Sequence, residues 1–107
     1  MKIVDYHTAA GKNLIKEYLS SLPKTERDIG YHMRHEIVKH GFEALKKLDI
    51  RQLRGHLWEI KFFDSNRVMY VAVTDKIYFL HACKKQKGKA EKFEIDTALS
   101  RMKDCGL

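Results

Sequence analysis

The chain has 107 residues, 44% of them apolar and 33% charged, with a formal net charge of +7. That length suits a single domain over residues 1–107, because two half-size pieces would each bury too little apolar surface to fold. No apolar run approaches the roughly 20 residues of a membrane span, and the opening MKIVDYHT has no hydrophobic signal segment, so the sequence points to a cytoplasmic protein with no membrane partner.

Ile3, Val4 and Tyr6 predict a short edge strand, interrupted by the run Thr8 to Gly11. From Lys12 the apolar residues Leu14, Ile15, Tyr18, Leu19 and Leu22 line one face of a helix that must stop at Pro23, because the residue before a proline is driven out of the α region. A second helix, capped by Thr25 or a neighbour, buries Ile29, Met33 and Ile37 and closes at Gly41. Phe42 restarts a helical turn through Leu48, which makes an αα-hairpin of the two main helices.

After Asp49 the period shifts towards two, and β-branched and aromatic residues take over. Leu57–Phe63, Arg67–Thr74 and Ile77–Cys83 read as three strands joined by short polar links into an antiparallel meander. On the first of these, Trp58, Ile60 and Phe62 form an apolar face, while Leu57, Glu59, Lys61 and Phe63 form a mixed one where chemistry has room. A last helix follows Gly88 and carries Ile95, Ala98, Leu99 and Met102 on one face. The expected fold class is α+β, two N-terminal helices packed on an antiparallel β-sheet with a C-terminal helix.

The charge is not evenly spread. Residues 51–89 hold nine Lys and Arg against three acids, an excess of +6 out of +7. Concentrated cations reward a polyanion partner, since phosphates bind clustered Lys and Arg. Arg51, Arg54 and His56 flank Gly55 in what reads as a basic turn, well placed to grip phosphates. Lys61 and Arg67 face each other across the first hairpin if its turn centres on Ser65 and Asn66, and such a like-charged pair costs stability unless an anion lies between them. Lys84, Lys85, Lys87 and Lys89 form the densest run, presented at the end of an apolar strand. His56 is the better acid–base candidate, because His81 sits within that apolar strand and reads as structural.

Several chemistries find no support. Cys83 and Cys105 belong to no C-x-x-C pair, and His32 and His35 have no matching ligand pair elsewhere, so neither a metal site nor a cofactor is expected. No Ser-His-Asp order, phosphate-loop or dinucleotide glycine pattern is present.

The order helix, Leu22-Pro23, helix, Gly41 is followed by three motifs: Arg51-Gln-Leu-Arg-Gly-His-Leu-Trp-Glu-Ile-Lys61, Arg67-Val-Met-Tyr70 and Leu80-His-Ala-Cys-Lys-Lys85. In this the chain resembles the HigB toxins of the RelE/ParE toxin superfamily, over nearly its whole length. The most specific feature is the K/R-x-L-x-G-x-L-W-E-[IL]-[RK] run joined to the later Lys-Lys. The resemblance implies a type II toxin–antitoxin component, a ribosome-dependent endoribonuclease that cuts messenger RNA without metal. In such enzymes the RNA's own 2′-hydroxyl attacks the neighbouring phosphate, a base takes its proton, an acid protonates the leaving 5′-oxygen, and cations stabilise the phosphorane. It further implies a helix-turn-helix antitoxin that neutralises the toxin, as a heterotetramer.

Carried over by position, Arg51, Lys61, Arg67, Lys84 and Lys85 match the family's basic residues and are expected to converge on one phosphate. Arg67 and Lys84 would serve as transition-state cations, and Lys61, Lys85 or His56 would share the acid–base work. Arg51, Arg54, Lys87 and Lys89 would bind RNA, with Arg54 and His56 supported by the residues alone. The chain departs from the pattern in having Lys61 where arginine is common, and Gly88-Lys89-Ala90 where a proline usually follows the lysines. A DNA gyrase inhibitor of the ParE kind, or a non-catalytic RNA-binding module, would share the same fold.

Overall fold

The computed structural model describes residues 1–107, in the order β1 (Lys2–Asp5), α1 (Leu14–Ser21), α2 (Lys24–His40), α3 (Phe42–Lys46), β2 (Asp49–Arg54), β3 (Leu57–Phe62), β4 (Asn66–Val73), β5 (Lys76–Lys84) and α4 (Gly88–Asp104). The strands form one five-stranded sheet in the order β1-β5-β4-β3-β2. The β2 to β5 run pairs antiparallel throughout, but β1 lies parallel to β5, with Ile3 beside Ile77. This corrects the expected architecture of two N-terminal helices on an antiparallel sheet. The edge strand expected around Ile3 is β1 and the turn expected from Phe42 is α3, so a strand comes first and three helices precede the meander, and the sheet is mixed rather than antiparallel. The long path from β1 through the helices lets the chain return in a direction that a tight hairpin cannot provide.

Local chemistry explains the boundaries. Asn13 caps α1 by accepting from the Lys16 backbone N–H at 2.9 Å. α2 starts straight after Pro23 with no side-chain cap, so Thr25 lies inside the helix rather than at its end. Gly41, at φ 59°, turns α2 into α3. Arg51 and Arg54, which read from sequence as a basic turn with His56 around Gly55, lie instead on the edge strand Asp49–Arg54, with a register shift between Gln52 and Arg54. Its charged side chains suit an unpaired edge.

Alternation along the strands divides the sheet into two faces. One carries Ile60, Phe62, Val68, Tyr70, Ile77 and Phe79, which cluster with Ile15, Leu19, Met33, Ile37 and Leu45 of the first three helices. α1 and α2 approach closely at Gly30, where a Cβ would stand 2.8 Å from Leu19 Cδ2 and 3.3 Å from the Phe62 ring. The other face carries Leu57, Met69, Val71, Leu80 and Cys83, on which α4 lays Ala98, Ile95, Leu99 and Met102. No helix is long and apolar enough to cross a membrane.

Candidate functional site

Beside the N-terminal turn of α4, on the face that α4 covers, a cavity of about 220 Å³ is lined by Arg51, Glu59, Lys61, Arg67, Lys85, Gln86, Lys87 and Glu91, with no hydrophobic residue among them. The meander explains the convergence: β3 ends, β4 begins and β5 ends at the same end of the sheet. Lys61 is the direct cross-strand neighbour of Arg67, as the sequence suggests, and Cys83 flanks Arg67 on the other side.

Arg67 is the anchor. It is 1% exposed, and burying a guanidinium at that depth requires counter-charges. Its Nε and Nη2 both pair with Glu59, itself fully buried, and Nη2 also donates to Glu91 Oε1 at 3.2 Å. Arg51, from the edge strand, completes the set. Its Nη2 donates to the same Glu91 oxygen at 2.8 Å, and its Nε lies 2.9 Å from Glu59 Oε1. The Arg51 guanidinium, joined by Arg67, holds the Glu91 carboxyl below the usual carboxylate range, and Glu91 in turn raises Arg51 further above its already high value. The repulsion expected between Lys61 and Arg67 is therefore relieved from within the protein, by two carboxylates, with no outside anion needed for that purpose.

Two features leave the cavity receptive to an anion. Five cations surround two carboxylates, a net +3, and both carboxylates pair with the arginines, so Lys61, Lys85 and Lys87 carry uncompensated charge. Arg67 Nη1 is buried without a hydrogen-bond acceptor, and a fixed, unsatisfied donor beside mobile ammonium groups is a ready partner for a phosphate oxygen.

The other expected residues lie elsewhere. Lys84 is corrected: strand alternation sends it to the opposite face from Lys85, where its ammonium donates to Asn66 Oδ1 at 2.8 Å and to Glu26 Oε1 at 3.2 Å. Tyr18 and Asn66 complete that separate polar group, and burial pushes the Tyr18 phenol up. His56 is likewise corrected: it lines a shallow apolar recess with Phe42, Leu45, Ile50, Trp58, Tyr70 and Ala72, apart from the cation cavity. Arg54 lies 3.9 Å from Asp96 of α4, and Lys89 is exposed on that helix's first turn.

Glu91 and the counter-ion role of Glu59 were not anticipated. Glu59 stands in the signature run, where an acid between basic positions signals a counter-ion. Glu91 is 24 residues from Arg67 and reaches it only through the docking of α4.

His81, Cys83 and Glu94 also gather, with potential ligand atoms within 4.8 Å of one another. The hydrogen bonds argue against a metal centre. Arg101 Nη1 donates to His81 Nδ1 at 3.0 Å, and burial keeps the imidazole neutral by lowering its pKa. Nε2 must then carry the proton and give it to Glu94, so no lone pair remains there for a metal. Burial pushes the Cys83 thiol up to about 12, far from a thiolate.

Comparison with curated proteins finds no match. The model of the family described as "Phage derived protein Gp49-like (DUF891)" matches residues 17–103, which span α1 from Glu17 to the last turn of α4 and include every residue lining the cation cavity. The chain thus belongs to the Gp49-like family of phage-derived proteins, a RelE- and toxin-like family.

Proposed function

We propose that this protein is the toxin of a toxin–antitoxin pair and acts as an endoribonuclease on messenger RNA engaged by the ribosome, held in check by a helix-turn-helix antitoxin. The observation that carries the reading is the cavity in which Arg51, Lys61, Arg67, Lys85 and Lys87 gather at one end of the sheet. Membership of a toxin-like, phage-derived family is compatible with it.

In this reading the scissile phosphate enters the cavity and its non-bridging oxygens accept from Arg51, Arg67 and the lysine ammonium groups. The 2′-hydroxyl attacks phosphorus, the P–O5′ bond breaks, and the charge that grows on the phosphorane is met by fixed cations already in place. Lys61 and Lys85, each with three N–H donors and no ion-pair partner, are suited to protonate the departing 5′-oxygen.

The test is expression of the Lys61→Ala/Lys85→Ala double variant, in which both changes lie outside the apolar core. Primer extension on cellular mRNA after induction should lose the wild-type cleavage stops, and growth inhibition should disappear. Full toxicity in the double variant would overturn the assignment, and toxicity accompanied by inhibited gyrase supercoiling without mRNA cleavage would replace it with gyrase poisoning.

A further inference from the structure

The cavity offers cations in plenty, but the reaction also requires a group that takes a proton from the 2′-hydroxyl. A guanidinium does not deprotonate in proteins, and an ammonium group, the form in which the cavity lysines bind phosphate and protonate O5′, has donors only. With the lysines in those roles, the proton acceptors facing the cavity are Glu59, Glu91 and the Gln86 amide, and an amide oxygen is far too weakly basic. Glu59 is fully buried and bound by both nitrogens of the Arg67 fork, so it cannot turn towards a ligand without stranding that arginine.

Glu91 differs in each respect. Its side chain is 28% exposed, it stands on the first turn of α4, and a single oxygen, Oε1, accepts from both Arg51 and Arg67. Glu59 contacts both arginines but balances only one of their two charges, so Glu91, the second counter-ion, occupies the position that an incoming phosphate oxygen would need. A phosphate that takes over the two Nη2 donors displaces that carboxylate oxygen while the carboxylate remains alongside, next to the ribose that bears the attacking hydroxyl.

Resting on the ribonuclease reading above, we infer that Glu91 is the general base: it yields the Arg51 and Arg67 donors to the scissile phosphate and accepts the proton of the 2′-hydroxyl. The step balances within the substrate and the protein. The O2′–H proton passes to a Glu91 oxygen as the O2′–P bond forms, the P–O5′ bond breaks, and a lysine ammonium gives its proton to O5′. The products are a 2′,3′-cyclic phosphate and a 5′-hydroxyl, with no other reactant consumed. The same exchange tunes the base. While paired with the arginines, the carboxylate is held ionised, and once phosphate takes their donors that restraint weakens and its affinity for a proton rises.

Glu91→Gln keeps the shape and the hydrogen-bond acceptor but cannot act as a base. Single-turnover cleavage of a message on programmed ribosomes should fall at least about 100-fold, the usual loss for a general base. Affinity for a message with a 2′-deoxy nucleotide at the scissile position should stay within about threefold of wild type or tighten, because a competing anion has been removed. Glu91→Asp should cleave faster than Glu91→Gln. Cleavage by Glu91→Gln within tenfold of wild type, or a loss of affinity matching the loss of rate, overturns the inference and leaves the ribonuclease reading standing. Absence of cleavage by the wild-type protein overturns both.

Discussion

Lys61 and Arg67 are direct cross-strand partners on β3 and β4, yet they live in different electrostatic worlds: Arg67 is buried against Glu59 and Glu91, whereas Lys61 carries its charge into the cavity unpaired. One is a structural cation that also presents a donor, Nη1, and the other is free to meet a ligand. This division of labour sets the mutational expectations.

Arg67→Met should destabilise the fold by about 2–4 kcal/mol, because the fully buried Glu59 loses its buried partner and keeps only the half-exposed Arg51 as a counter-ion. Adding Glu59→Leu should recover most of that loss, since the pair is then replaced by apolar volume. Urea unfolding midpoints of the single and double variants check this, and a double variant no more stable than the single would contradict it.

Lys84 and Lys85 are neighbours in sequence and sit on opposite faces. Lys84→Ala removes donors to Asn66 and Glu26 and, with its side chain half exposed, should cost less than about 1 kcal/mol and leave mRNA cleavage within threefold. Lys85→Ala should leave the melting temperature unchanged and reduce cleavage at least tenfold. Thermal melts and primer extension on both variants separate the two roles.

The folded-state pKa of Glu91 is depressed, so its pairing adds stability above the unfolded carboxylate value and loses it as pH falls through the folded value. Wild type should therefore be more stable than Glu91→Gln at pH 7, and the difference should shrink steadily as pH falls below the unfolded carboxylate value of about 4.3 towards the depressed folded one. Comparing the two proteins cancels the other acids, and a difference that does not shrink along that acid limb would rule out the charge pairing as its source.

Gly30→Ala places a Cβ 2.8 Å from a methyl of the fully buried Leu19 and 3.3 Å from the Phe62 ring, so one of them must shift. The overlap should cost about 1–3 kcal/mol, more than the ~1 kcal/mol that alanine adds to a helix. A lowered melting temperature is expected, and an unchanged or raised one would show that α1 yields at this point.

The sequence made the periodic parts of this fold visible. The αα-hairpin stripe, the Lys61–Arg67 register and the α4 face all follow from side chains repeating at 3.6 or 2 residues. What stayed hidden depends on contacts distant in sequence. The parallel placement of β1 against β5 joins residues more than 70 apart, and the β2 edge strand carries too few apolar residues to show its period. At the site, charge density pointed to the right stretch but not to the right face. A lysine run does not reveal which members a strand end turns inward, which hides that Lys84 faces away from the cavity, and nothing local in sequence shows that His56 turns to the Phe42–Trp58 recess. Glu91 was invisible because only the docking of α4 brings it to Arg67.

The most direct test of the central claim is chemical analysis of the ends left on a message cleaved by the wild-type protein on programmed ribosomes. Attack by the RNA's own 2′-hydroxyl in the cation cavity predicts a 2′,3′-cyclic phosphate upstream and a 5′-hydroxyl downstream, with no cleavage where the scissile nucleotide is 2′-deoxy. A 5′-phosphate end, or undiminished cutting at the 2′-deoxy position, would contradict it.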